Sequence, residues 1–421
     1  MAAGSALRRA LSHRDSRIFF SGSIIAWTGL WMQRIAVSWL AWELTGSAFW
    51  VGMVAFCDLA PAVLISPLAG AVADRMDRVR VATISQFAIA AQAALVAGIT
   101  ATGGMTIGLL LVLEVLGGIA ASFAQPVRQT LMPGIVPRAD LPAAVAANSL
   151  CFAVARFIGP ALAGPVIAIW GVVPAIAANA VAYSFGAASI LMLHIATADR
   201  RGHPAGASLW GEVAEGLRYA RRHAGLGPLL LYAAFAALLM RGVQEILPPF
   251  VERSFGRGAD ALAVLTASIG IGSLIAGLWV ANRGRIEGST RLAVWSGLAM
   301  AVATASFAAT DNFAIGLFCG ALIGAAGSIH GISVQTLLQS ATESEFRGRM
   351  LSLWGMITRA CPALGALALG AAGEAFGLRI PTLVAVAVFL GVLAWGVARL
   401  GRMEQVLEAT PAGRRTGKDD G

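Results

Sequence analysis

The chain has 421 residues, 57% of them hydrophobic and 13% charged, with a mean hydropathy of +0.75 and a net charge of +9. A soluble globule carries nearer a quarter of its residues as charges, so the solvent of this chain is largely lipid. The basic balance does not indicate nucleic acid, because the arginines fall in short connections between apolar runs, the pattern of a positive-inside membrane topology.

Arg8, Arg9, Arg14 and Arg17 precede the first apolar run, and no small-residue cleavage site follows a short apolar core, so the first span is expected to remain in the protein. Crossing a bilayer as a helix takes about 20 apolar residues. Such stretches are expected near 18–43, 49–73, 80–101, 107–131, 142–169, 172–195, 227–252, 260–282, 290–310, 313–338, 349–374 and 379–400. A transmembrane β-barrel would alternate apolar and polar residues, whereas Leu109–Leu113 and Leu383–Leu393 are apolar on every face. Cys57, Cys151, Cys319 and Cys361 lie inside apolar runs at spacings unlike a metal site, so neither disulfides nor a metal are expected.

With the N-terminus cytoplasmic, the inner loops hold Arg75, Arg78, Arg80, Arg138, Arg200, Arg201, Arg218, Arg221, Arg222, Arg283, Arg285, Arg291, Arg347 and Arg349, while the outer loops hold Arg253, Arg257 and Arg379. Arginine retention then places both ends of the chain in the cytoplasm. The expected division is a cytoplasmic segment 1–17, a six-helix bundle 18–195, a cytoplasmic linker 196–226, a second six-helix bundle 227–400 and a disordered tail 401–421. Within the linker, Leu209, Val213, Leu217 and Ala220 follow helical spacing opposite Glu212, Glu215, Arg218 and Arg222, which predicts an amphipathic surface helix.

The halves resemble each other when slid by roughly 206 residues: Arg34 falls on Arg241 and Gln129-Thr130-Leu131 on Gln335-Thr336-Leu337, and, after a short deletion, Arg156 with Pro160 echoes Arg359 with Pro362. A six-plus-six parallel repeat is the layout of a secondary transporter.

Between spans 2 and 3 stands Gly70-Ala-Val-Ala-Asp74-Arg75-Met-Asp-Arg78-Val-Arg80, which resembles the loop signature of the major facilitator superfamily, with Asp77 where a glycine is common. Leu209-Trp210-Gly-Glu-Val-Ala-Glu-Gly216-Leu-Arg218-Tyr219, Gln125-Pro126-Val127-Arg128-Gln129 and Phe346-Arg347-Gly348-Arg349-Met350 resemble the branch that contains the enterobactin exporter and macrolide-efflux carriers. The resemblance implies an all-α integral membrane protein of 12 transmembrane helices in two six-helix bundles related by a pseudo-twofold. It also implies an alternating-access carrier, usually a proton-driven exporter, working as a monomer. Gly70, Asp74, Arg75, Arg78, Arg80, Arg128, Arg347 and Arg349 would form its cytoplasmic gate. No cofactor is expected.

Charges within spans give an independent expectation, since each costs at least about 2.5 to 3.5 kcal/mol at mid-bilayer and so should face protein or water. They are Arg34, Asp58, Glu114, Arg156, Arg241, Glu245 and Arg359, while spans 3, 6, 9 and 12 carry none, as outer scaffold helices should. Arg34, Arg156, Arg241, Glu245 and Arg359 are candidates for contact with substrate; Arg241 and Glu245, one turn apart, could equally satisfy each other. Asp58, then Glu114, then His330 are candidates for carrying a proton, each with the alternative of a structural role. The expected function is proton-coupled export of a siderophore, natural product or drug across the plasma membrane; a lipid flippase or uniporter is the alternative. An enzyme is not expected, since no nucleophile or two-histidine metal constellation is present, and Lys418 is the single lysine, which leaves no Gly-Lys nucleotide loop.

Overall fold

The structure, a computed structural model, describes residues 12–137, 140–194, 209–283, 285–343 and 345–408. Among the described residues every regular element is helical. The first half comprises α1 (Arg14–Thr45), α2 (Ala48–Arg75), α3 (Arg78–Ala101), α4 (Ile107–Leu131), α5 (Leu141–Trp170) and α6 (Val172–Leu191). The amphipathic segment forms α7 (Leu209–Arg222). Beyond it come α8 (Leu226–Phe235), a π-helical turn Ala236–Arg241, α9 (Gly242–Glu245), α10 (Leu247–Arg253), α11 (Ala259–Arg283), α12 (Ser289–Ala309), α13 (Phe313–Ala341), α14 (Arg347–Phe376), α15 (Arg379–Ala398) and α16 (Leu400–Leu407). Among the described residues ten helices are long and apolar enough to cross a membrane, and α1 and α2 fall on the first two predicted spans.

Local chemistry sets the ends of these helices. Gly46 closes α1 at φ 58°, a left-handed conformation that favours glycine, and its N–H bonds the Trp42 carbonyl. Asp77 accepts from the Arg80 N–H at 2.9 Å, so the residue that departs from the loop signature caps α3. Asn312 caps α13 through the N–H groups of Ala314 and Ile315.

Two expectations change. The span predicted as one helix over 227–252 is interrupted, because Pro248 and Pro249 lack the N–H groups that would continue the ladder and Ile246 leaves helical geometry at φ −117° and ψ 34°. The tail expected to be disordered from 401 is instead ordered through 408. α16 buries Met403 and Leu407, Glu404 pairs with Arg291 Nε at 3.0 Å, and the Glu408 carboxylate accepts from the Gly288 and Thr290 N–H groups at 2.6 and 2.7 Å, closing the N-terminus of α12.

The chain gathers into two compact units, Met1–Gly206 with Ile246–Gly270, and Ala207–Glu245 with Ile271–Gly421. In the first, α1 packs on α5 and α6, α2 on α4, and α3 on α4 and α6. Residues 246–270, expected with the second bundle, belong to this unit. Trp42 Nε1 donates to the Glu252 carboxylate, and Arg253 donates to the Gly46 carbonyl at 2.8 Å while its guanidinium lies 4.9 Å from the Trp42 ring. In the second unit, α12 packs on α13 and α15, and α14 on the π-helical turn, α9 and α7. The amphipathic helix is seated there by Glu215, paired with Arg349 at 3.2 Å, and by Tyr219, stacked on Phe346 at 4.4 Å.

Candidate functional site

The first unit collects ionisable groups around α1. Arg34 Nη2 meets Asp58 of α2 at 3.1 Å, with side chains 27% and 29% exposed, so the pair is half-buried. One turn along α1 from Arg34 stands Ser38, and the carboxylate is supplied instead by the neighbouring helix. Trp31 lies beside them: the Arg34 and Arg156 guanidinium carbons are 5.4 and 5.3 Å from its ring centroid, and its Nε1 is buried with no bonded partner. Attraction between a guanidinium and the face of an indole is worth about 0.5–2 kcal/mol, so the ring helps hold both cations in apolar surroundings. Phe152, edge-on to Trp27 at 5.2 Å and near Trp31 at 6.0 Å, closes the aromatic wall.

Behind the ion pair runs a line of neutral amides. Asn179 Nδ2 of α6 donates to Gln33 Oε1 of α1 at 2.6 Å, Gln33 Nε2 to Gln92 Oε1 of α3 at 3.1 Å, and Gln92 Nε2 to Glu114 Oε1 of α4 at 3.0 Å. All four side chains are buried. Two glycines seat this end of the line. A Cβ on Gly117 would stand 3.1 Å from the Gln92 amide carbon, and one on Gly118 would stand 2.4 Å from the Asp58 carbonyl oxygen, so the pair lets α4 approach both α3 and α2. Gln92 also lines an apolar groove of about 550 Å³ between α3 and α4, with Met76, Ile84, Leu95, Leu116 and Phe123.

Gln33, Gln92 and Asn179 were not among the expected site residues. Spans 3 and 6 appear to a charge census as inert scaffold, yet α3 and α6 supply polar members of the line. The signal that could have found them is an amide inside an apolar run, since an unbonded amide in lipid costs several kcal/mol.

Other expected residues are distributed differently. Arg128, placed by its motif in the cytoplasmic gate, turns inward: it is 6% exposed, donates to Ser23 Oγ at 2.5 Å and lies 4.4 Å from the Trp27 ring. Arg78, Arg80 and Arg347 are exposed, while Arg349 is half-buried against Glu215 and Phe346. The side chains of Gly70, Asp74 and Arg75 lie outside the described residues. In the second unit Arg241 ends the π-helical turn, with Glu245 at the end of α9 and Arg359 on α14, all half-buried. Such turns recur at functional sites. His330 is enclosed: its Nδ1 lies 2.9 Å from the Ala293 carbonyl and its ring 5.6 Å from that of Tyr232, which itself donates to the Val294 carbonyl.

The family model described as transmembrane secretion effector matches residues 8–413. The staphyloferrin A transporter of Staphylococcus aureus is 24% identical over 86% of this chain and 90% of its own length. The multidrug efflux pump Tap of Mycolicibacterium fortuitum is 26% identical over 91% and 95%, and the enterobactin exporter EntS of Salmonella choleraesuis 26% over 86% of each. Among solved structures, a bacterial homologue of the human lysosomal transporter Spinster aligns with TM-score 0.71 at 14% identity, covering 94% of this chain and 99% of that one. A D-xylose–proton symporter aligns with TM-score 0.67 at 13% identity, covering 89% and 97%.

Proposed function

The chain belongs to the transmembrane secretion effector family of major facilitator transporters, a multi-pass membrane transporter and not an enzyme, and on that premise we propose that it exports a small polar molecule in exchange for protons by alternating access. The observation that carries the reading is the half-buried Arg34–Asp58 pair with the buried Glu114 carboxyl behind it. Two carboxyls and one guanidinium in apolar surroundings can share a proton and a mobile anion, because an arriving proton neutralises one carboxyl and alters what the cation must balance. Asp58 is the first choice of carrier and Glu114 the second; His330, enclosed against α12, ranks third.

For substrate we favour anionic or strongly polar compounds of siderophore type. Two guanidiniums gathered at one tryptophan ring support this, as do the names of the staphyloferrin A transporter and the enterobactin exporter. In the second unit Arg241, Glu245 and Arg359 are the candidates for contact with substrate. The apolar aromatics Trp27, Trp31 and Phe152 favour amphipathic drugs as the second reading, in line with the relative named a multidrug efflux pump. We place the protein in the cell membrane as a monomer with both termini cytoplasmic, and Asp74, Arg75, Arg78 and the start of α14 at the gate.

The test is efflux in inverted vesicles, with proton movement followed by a pH dye on addition of siderophore-like or lipophilic cationic compounds. Substrate-dependent proton release that Asp58→Asn loses is the expected result. Transport without proton movement would make the protein a uniporter or flippase, and unchanged exchange in Asp58→Asn would return that carboxyl to a structural role.

A further inference from the structure

The direction of the amide line carries an inference of its own. An amide can be turned end for end, and which end faces a neighbour decides whether it donates or accepts. Here no member can turn alone. Gln92 presents its N–H to Glu114 while its oxygen accepts from Gln33, and the Gln33 oxygen in turn accepts from Asn179. Turning any one of them would set donor against donor or acceptor against acceptor in a buried site. Gln92 is therefore held as a donor for as long as Gln33 and Asn179 keep their orientation, and its bond to Glu114 is better when the carboxyl is ionised.

The groups around Glu114 make that donor matter. The charges acting on it are Asp58 from α2 and Arg34 from α1, with the Cys57 thiol of α2 also in its neighbourhood. The Arg34 guanidinium reaches Asp58 at 3.1 Å, so the cation nearest the site is already engaged. From α3 the facing group is the neutral Gln92, because Arg78 and Arg80 lie more than three turns earlier on that helix. Gln92 is thus the protein donor on the Glu114 carboxyl among the described residues.

We infer that Gln92, oriented by Gln33 and Asn179, is the positioning residue that sets how readily the Glu114 carboxyl takes up and releases a proton. The inference rests on the proton-coupled reading for its role in transport, though not for its physical test. Through it the protonation of a residue on α4 depends on the seating of α1, α3 and α6, so a shift of any of these helices changes the proton affinity of the site.

The carboxylic C=O infrared band of the purified full-length protein in lipid nanodiscs, titrated over pH, reads this directly; Glu114→Gln identifies the band by removing it. Gln92→Leu keeps the size and removes the donor, and should move the midpoint upward by about one pH unit. Gln33→Met leaves the donor but frees it to turn, and should give a smaller shift of the same sign. An unmoved midpoint in Gln92→Leu overturns the inference, as does a spectrum that loses no band in Glu114→Gln. Should Gln92→Leu fail to fold, an unmoved midpoint in Gln33→Met overturns it. A shift in Gln92→Leu with none in Gln33→Met overturns the roles of Gln33 and Asn179. Proton-free transport beside a shifted band would defeat the coupled-exporter reading alone, whereas coupled transport beside an unmoved band would defeat this inference alone.

Discussion

The two units share a helix-packing device and differ in what they enclose. In the first, Gly159 of α5 faces α1 so closely that a Cβ would stand 2.9 Å from the Thr28 carbonyl oxygen and 2.5 Å from Trp31 Cβ. In the second, Gly365 of α14 faces the Leu238 carbonyl, where a Cβ would overlap it outright. Along the first four helices of each half, with an offset of 206 or 207, Gln33, Gln92 and Glu114 fall on Met240, Leu298 and Gly320. The second unit therefore makes the same kind of crossing without the polar line. Because the repeat folds without these groups, their presence in the first unit is better explained by chemistry than by architecture, while Arg34 and Arg241 keep a cation in both.

The largest expected effect separates pairing from proton carriage at the ion pair. Asp58→Asn should lower substrate-driven exchange at least tenfold, and the double variant Arg34→Gln/Asp58→Asn, which removes both charges, should recover thermal stability but not transport. Recovery of transport, measured in the same vesicles, would make the pair structural and erase the functional difference between the units.

Next come the crossing glycines. Gly159→Leu and Gly365→Leu each force a side chain against backbone and should cost about 1–3 kcal/mol or more, read as a fall in the melting temperature of the purified protein. Similar losses would sharpen the parallel; a neutral change in one would break it.

A smaller effect probes the apolar counterpart. Met240 is fully buried, so Met240→Gln buries an amide at the position matching Gln33 and should cost about 1–3 kcal/mol in the same assay. Asn179→Leu removes one bond from the line and should cost nearer about 0.6 kcal/mol, the average for a side-chain hydrogen bond between membrane helices. Smallest on function is Glu408→Gln, which weakens the closure of α12 and should lower stability by about 0.5–1 kcal/mol while leaving transport unchanged.

Much of the fold was legible because an apolar run of membrane length has few alternatives to a helix. The positions of α3 through α6 and of α11 through α15 follow from the apolar runs within a few residues, and the amphipathic linker helix follows from its period. The break at Pro248 and the π-helical turn were not read, since a hydropathy window averages over the residues that cause them. At the candidate site, Arg34, Asp58 and Glu114 announced themselves as charges in lipid. Gln33, Gln92 and Asn179 carry no charge and passed as ordinary polar residues among apolar ones, although each needs a partner as surely as an ion does.

The inward turn of Arg128 shows the same division. Its motif told that an arginine stands at the end of α4; that its guanidinium lies against Trp27 and Ser23 depended on α1 being alongside. The sequence by itself determined that the chain spans a membrane as helices and that it is a transporter of the secretion effector family, because composition, period and motif are properties of the chain alone. Which charge meets which, in which direction the amides point and where residues 246–270 pack were decided only by the tertiary structure. Such contacts join helices far apart in sequence, and in lipid a polar group takes whichever partner the neighbouring helix brings within reach.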